Sequence, residues 1–309
     1  LDAAAAADVI GIDFEAISFS KDYREMVFLD FLKEYSAGRT PNPDIFCNSE
    51  IKFKSFLKYS HNLGAQFIAT GHYVRTRIGS TGNFKLLRGL DPNKEQSYFL
   101  HRLSQKQLSS SIFPIGNMMK TQVRELAKEI GLPNADKKDS TGICFIGERP
   151  FKSFLENYIK NDPGPICDTD GNVIGEHDGL CFYTIGQRKG MKIGGISKKK
   201  TKNNSHAPWF VIKKNKSTNT LIVAQGHENP SLFTSTLKAI NPSWISGFAP
   251  KIEELQVKIR YRQKSFPSTF VCNGNEFKLY FKSPQWAVTP GQSAVLYNGV
   301  ECLGGGIIE

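Results

Sequence analysis

The chain changes texture near residue 149, and that change limits the architectures open to it. Before it, helical patterns alternate with short apolar runs. After it, Pro and Gly recur in Asp162-Pro163-Gly164-Pro165, Asp170-Gly171-Asn172 and Glu176-His177-Asp178-Gly179, the turn chemistry that separates short strands. A chain of 309 residues is too long for one ordinary domain and long enough for two or three. We therefore expect an α/β domain over residues 1–149, a small central domain over 150–228 and a β-rich domain over 229–309.

Within the first part, residues 12–19 alternate apolar and polar through Phe14 and Ala16, as a strand would. A helix is expected over 22–37. Met26, Leu29, Phe31, Leu32 and Tyr35 recur there at helical spacing, and Gly38 supplies the stop. A second helix is expected over 50–63, then a short buried strand over 67–70. Strand, helix, helix, strand in one short stretch points to a parallel sheet. A third helix is expected over 121–130, stopped by Gly131-Leu132-Pro133. In the last third, segments 257–261, 269–272, 277–281, 293–297 and 302–308 alternate like the strands of a small antiparallel barrel or sandwich. Residues 221–224 read as a further strand. The charged stretch 197–205 reads as a solvated loop, with contact to a phosphate backbone as the rival.

The formal charge of +11 fits a polyanionic partner such as nucleic acid, or a basic but inert surface. No apolar run approaches the ~20 residues that cross a bilayer. Ala3 to Ala7 lacks the basic flank of a signal peptide, so a cytoplasmic setting is expected. The chain opens Leu-Asp with five alanines and no Met, and residues are expected to precede it.

The cysteines are Cys47, Cys144, Cys167, Cys181, Cys272 and Cys302. None forms a C-x-x-C pair, which argues against a zinc ribbon and for no tightly bound metal. In a reducing setting most of them are small buried hydrophobes, so a reactive one must be found by its surroundings. Gly38-Arg-Thr-Pro-Asn-Pro-Asp44-Ile-Phe-Cys47-Asn48 reads as a proline-stiffened loop between two helices. A cysteine at a helix N-terminus gains thiolate character from the dipole, and Asp44 is a candidate acid–base group. A plain helix-entry loop with a buried cysteine is the bland alternative. Residues 137–149 hold Lys137, Lys138 and Cys144, and nearby lysines also favour a thiolate. A domain linker is the alternative there. Two reactive cysteines point to persulfide or disulfide chemistry. Gly71 and His72 follow the presumed strand at 67–70, at the sheet end where ligands bind in open α/β folds.

GRTPNPDIFCN (38–48), IKF (51–53), ATGHY (69–73), KEQSYFL (94–100), KKDSTGICFIGER (137–149), TIGQRKG (184–190), AQGHENP (224–230), RYR (260–262), VTPGQSAV (288–295) and GGGIIE (304–309) recur in order along nearly the whole chain. Together they resemble the bacterial tRNA-specific 2-thiouridylases (tRNA-uridine 2-sulfurtransferases). The resemblance implies an adenine-nucleotide α-hydrolase-like domain with a parallel sheet, a small central domain and a C-terminal antiparallel β-barrel. It implies ATP, with Mg2+, as cofactor, and tRNA and a persulfide donor or sulfur-relay protein as partners. Cys47 falls on the nucleophile, Cys144 on the persulfide carrier and Asp44 on the acid–base position. Asn42, Pro43 and Asp44 fall on the segment that touches the target base, and Gly71 on an ATP-contacting position. His72, Lys94, Glu95, Gln96, Arg260, Tyr261 and Gln292 fall on tRNA-contacting positions.

By the same resemblance, ATP activates the uracil C2 oxygen as an adenylate, and sulfur from a Cys144 persulfide replaces it. The family's SGG-x-DS phosphate loop has no counterpart near the start of this sequence, so the adenylating assignment is expected to belong to the parent protein. A monomer is the simplest expectation. Three rivals stay open: another ATP-pyrophosphatase-type ligase, a non-catalytic tRNA-binding module of the same fold, and a redox sensor.

Overall fold

Tyr23, Val27, Phe31 and Tyr35 are spaced four apart and all are buried, so they line one face of a helix. In the computed structural model, which describes residues 1–138, 142, 144, 147, 151–193 and 207–309, that helix runs over 20–36. It ends at Gly38, whose φ of 76° is a backbone state that glycine adopts without strain. The next helix runs over 43–62. It starts well before the expected residue 50 because Pro43 fits the first helical position, where a missing N–H costs nothing. Its middle stretch, Cys47–Phe56, is wound wider, with i→i+5 bonding. Asp44 and Cys47 therefore lie on a helix and not on a loop.

The strand expected at 12–19 does not form. Residues 12–18 are exposed and pair with no strand among the described residues. Alternation alone is insufficient, because a strand needs a neighbour for its N–H and C=O groups.

The parallel sheet is short. β1 (Ile68–Ala69) is followed by a hairpin, β2 (Val74–Ile78) and β3 (Phe84–Arg88), before β4 (Ser111–Ile112) returns beside β1 in parallel. A helix at Lys120–Glu129 follows. The central part pairs β5 (Gly164–Cys167), β6 (Val173–His177), β7 (Trp209–Asn215) and β8 (Thr220–Gln225) in the order β6-β5-β8-β7. Ile166, Val211, Leu221 and Val223 form its core. The charged stretch 197–205 lies outside the described residues.

The last part is a closed antiparallel barrel of β9 (Phe233–Trp244), β10 (Glu254–Lys258), β11 (Phe266–Asn273), β12 (Glu276–Trp286), β13 (Ser293–Asn298) and β14 (Glu301–Ile308). Its order is β13-β10-β11-β12-β9-β14, and β13 pairs back with β14. Closure removes the open edges that a free sheet would expose. β9 was not anticipated, since Asn241-Pro242 interrupts its pattern. The chain absorbs them with Asn241 at φ 51°.

β14 also pairs with β3, matching Glu301 to Leu87 and Cys302 to Leu86. The first domain's hairpin thus extends the barrel sheet, and one core holds Ile45, Phe53, Leu86 and Tyr98 together with Val295 and Tyr297. A buried ion pair sits at the same seam, Lys258 Nζ to Glu95 at 3.4 Å. Arg88 stacks 3.7 Å from the Tyr297 ring centroid.

Candidate functional site

Cys47 is the fifth residue of the 43–62 helix. Its amide is bonded to the Pro43 and Asp44 carbonyls, and its side chain is fully buried with Tyr23, Val27 and Ile51. This differs from the expected thiolate at a helix N-terminus. The free N–H groups that favour an anion belong to the first turn, and Cys47 lies beyond them. Its thiol is pushed well above the ordinary value, first by its contact with the Cys144 sulfur, then by burial and the Cys144 charge. Asp44 adds to the rise and Lys52 opposes it. At rest the sulfur keeps its proton.

Cys144 reaches Cys47 across 97 positions of sequence, and the two Sγ atoms are 3.0 Å apart. The two cysteines are not joined by a disulfide, since a covalent bond would bring the sulfurs to about 2.0 Å. Two hydrogen bonds hold the Cys144 backbone. Its N–H donates to Asp44 Oδ1 at 3.1 Å, and its carbonyl accepts from Tyr23 Oη at 3.0 Å. Of the two lysines expected to help, Lys137 pairs with Asp2, and Lys138 is exposed. Asp139, Ser140, Thr141, Ile143, Phe145, Ile146, Glu148 and Arg149 lie outside the described residues. Tyr23 was missed from the sequence, where it is one more apolar-face position of a helix.

Asn48, beside Cys47, ties this helix to the end of β1. Its Oδ1 lies 3.2 Å from His72 Nε2, and His72 Nδ1 lies 2.9 Å from Thr70 Oγ1. His72 is packed between Phe53 and Phe113. Burial, with Lys52 nearby, lowers its pKa to about 3, so the ring is neutral. Gly71 is exposed. A Cβ there would meet only Ile115 Cδ1, at 3.9 Å, so the backbone at this sheet end is not crowded.

The quoted motifs converge on one loop. Thr40 N donates to the Pro290 carbonyl at 2.9 Å, and Gln292 Nε2 donates to the Thr40 carbonyl at 2.7 Å. Thr40 Oγ1 lies 3.2 Å from Thr184 Oγ1. Arg260 donates to the Ile185 and Ala287 carbonyls and to Thr289 Oγ1, at 3.0, 2.8 and 2.8 Å. GRTPNPD, TIGQRKG, RYR and VTPGQSAV thus form a junction of all three parts of the chain. Asn42 is extended ahead of the helix, and Pro43 is buried.

The other residues on expected RNA positions have protein neighbours too. Gln96 Oε1 accepts from Tyr73 N at 2.9 Å, Glu95 is buried against Lys258, and Tyr261 packs 4.3 Å from the Phe99 ring. Lys94 is half-buried in the turn before them. Among the described residues, no group of three or more His, Cys, Asp or Glu side chains is arranged to hold a metal. No helix there is long and apolar enough to cross a membrane.

Three family models match the chain. One described as the tRNA methyl transferase HUP domain covers residues 1–148. A tRNA methyl transferase PRC-barrel domain covers 152–225, and an aminomethyltransferase beta-barrel domain covers 234–308. Among curated relatives, the tRNA-specific 2-thiouridylase MnmA of Albidiferax ferrireducens is 57% identical, over 100% of this chain and 85% of its own length. The protein of that name from Acidovorax ebreus is 57% identical, over 100% of this chain and 84% of its own. The one from Cupriavidus metallidurans is 56% identical, over 100% and 85%.

Proposed function

The chain belongs to the tRNA-specific 2-thiouridylase family, and from that premise we propose that it thiolates C2 of the wobble uridine of tRNA by sulfur transfer between Cys47 and Cys144. The observation that carries this reading is the pair of sulfurs 3.0 Å apart and not joined by a disulfide. The model descriptions mention methyl transfer. The thiolation named for the relatives is the reading that the paired thiols fit, since sulfur passes readily between two adjacent cysteines.

Cys144 is the carrier that receives sulfur as a persulfide. Cys47, once deprotonated, attacks the Cys144 Sγ. The persulfide S–S bond breaks, its outer sulfur leaves as hydrosulfide, and a Cys47–Cys144 disulfide forms. The hydrosulfide attacks C2, and the C2 oxygen would leave with AMP. An external thiol then reduces the disulfide and returns both cysteines. ATP would supply activation of that oxygen, as an adenylate, and the exposed, uncrowded backbone at Gly71 is the proposed contact for it.

Asp44 has two tasks in this scheme. It positions Cys144 through the backbone N–H, and it is the acid–base group beside the sulfurs. Asn42, Pro43 and Asp44 are the proposed base-contacting segment. Of the proposed tRNA-contacting set, Lys94, Gln96, Arg260, Tyr261 and Gln292 are part-exposed, while His72 and Glu95 are buried and would act from behind them. A wobble base is single-stranded and can be turned out of its stack at low cost. The excess of basic residues serves the RNA backbone, so binding should weaken as salt rises.

The test incubates the intact protein with ATP, a persulfide donor and unmodified tRNA, then assays digested nucleosides for 2-thiouridine by mass spectrometry. Cys47→Ser and Cys144→Ser are run alongside. Product from the unmodified protein and none from either variant is the expected result. A protein that binds tRNA but yields no product would sink the proposal and favour a binding module. Full activity in either variant would sink the cysteine roles.

A further inference from the structure

Lys214, on β7 of the central domain, reaches the C-terminal end of the 20–36 helix. Its Nζ donates to the Gly38 carbonyl at 2.9 Å. Among the described residues no carboxylate pairs with it. Burial lowers its pKa to about 8, and Cys181 pulls the other way. Lys216, two residues on, lays its side chain 3.5 Å from where a Gly38 Cβ would stand. An ammonium at a helix C-terminus is favourable, but enclosing one without a counter-charge is costly. Gly38 opens the short segment that ends at Asn42, and Pro43 starts the helix carrying Asp44 and Cys47.

That segment is gripped from the other side as well. Thr40 is bonded through its N–H to Pro290 and through its carbonyl to Gln292. Gly291 lies so close that a Cβ on it would come within 2.8 Å of Thr40 N, at a φ of 93°. The barrel and the central domain therefore hold the same short loop, at its middle and at its first residue.

We propose that Lys214 is a positioning residue for sulfur transfer. Its bond to the Gly38 carbonyl fixes, from the central domain, the loop that sets where Asp44 and Cys47 stand against Cys144. This rests on the sulfur-transfer reading above. A hydrogen bond from a charged donor, lost in a partly buried site, loosens the loop by enough to matter at a site where small misplacements slow the chemistry.

The experiment compares Lys214→Met and Lys214→Arg in the intact protein by two readouts. The first is kcat and KM for tRNA in thiolation. The second is the rate of Cys47–Cys144 disulfide formation on adding diamide, followed by mass spectrometry, which needs neither tRNA nor ATP. The Met variant is expected to lose about tenfold in kcat, with KM within about twofold, and to form the disulfide correspondingly slowly. The Arg variant, which keeps charge and donor, is expected to recover most of both.

Gly291→Ala, pressing on Thr40 from the barrel side, is expected to show the same split between kcat and KM. It carries the test if Lys214→Met fails to fold. Unchanged rates in the Met variant, Arg no better than Met, or a Gly291→Ala variant that shifts only Tm would each overturn the proposal. If the unmodified protein makes no 2-thiouridine while the disulfide rate still follows Lys214, the sulfur-transfer reading has failed and the positioning has not.

Discussion

Cys47 and Cys144 touch, yet they are held in opposite ways. Cys47 is owned by its helix. Its amide is bonded inside the helix, and its side chain is sealed among Tyr23, Val27 and Ile51. Cys144 is held from outside, by a bond from its N–H to Asp44 and one to its carbonyl from Tyr23, each on a helix distant in sequence. The first sulfur moves only if a helix moves. The second depends on hydrogen bonds to other parts of the fold, Asp44 and Tyr23 among them, each worth roughly 1–3 kcal/mol. A sulfur that must be loaded by a donor and then presented to a fixed thiol suits the second arrangement, and a thiol that its partner keeps protonated at rest suits the first.

The largest expected effect comes from removing the contact itself. Its Cys144 neighbour is the leading cause of the raised Cys47 thiol, so Cys144→Ala should make Cys47 more acidic and more accessible. Alkylation of Cys47 by iodoacetamide at pH 8, followed by mass spectrometry, should speed up by about tenfold or more. An unchanged rate would mean that burial alone silences Cys47 and that the two sulfurs are independent. The same shift has a sign for stability. A thiol that holds its proton more tightly in the folded state contributes fully below the unfolded value of 9.0. That contribution is lost as pH rises above it. Urea denaturation between pH 8 and 10 should show a steeper loss in the unmodified protein than in Cys144→Ala.

Next in size is Asp44→Asn. The amide oxygen still accepts the Cys144 N–H, but the charge is gone, and charge-assisted bonds are about twice as strong as neutral ones. Disulfide formation between Cys47 and Cys144 under diamide should slow by severalfold. Thiolation should fall further, because the acid–base group is lost as well. Equal losses in the two assays would make Asp44 a tether and nothing more.

The ease of reading the fold in the sequence followed the same division. The 20–36 helix was legible because its apolar spacing is long and regular. The barrel strands were legible because alternation and turns agree. Residues 12–19 misled because their alternation has no neighbouring strand to satisfy it. β9 was hidden because Asn241-Pro242 breaks the pattern that a bulge then tolerates. At the site, Cys47 and Cys144 stood out through their motifs, but the protonated state of Cys47 did not. The proline bracing suggested a loop, and only the helix start at Pro43 shows how far Cys47 sits from the free amides. Tyr23 and Lys214 carried no signal, since each acts through a hydrogen bond to a residue distant in sequence. Gln292 and Arg260 were singled out by resemblance, and their bonds to Thr40, Ile185 and Ala287 could not be read from spacing.

The smallest expected effect tests the weaker tether. Tyr23 Oη gives one neutral hydrogen bond to the Cys144 carbonyl, and its hydroxyl sits beside Cys47, Cys144 and Asp44, where burial and those neighbours push its own pKa up. It therefore stays a donor throughout the working range. Tyr23→Phe keeps the ring that packs on Val27 and Cys47 and removes only that donor, at a cost of about 1 kcal/mol. If Cys144 is the detachable partner, the change should slow disulfide formation by about fivefold, lower Tm slightly, and leave Cys47 alkylation nearly as slow as before. Fast alkylation of Cys47 in Tyr23→Phe would reverse the comparison, because it would make Tyr23 a seal over the helix-borne sulfur and not a tether for the other one.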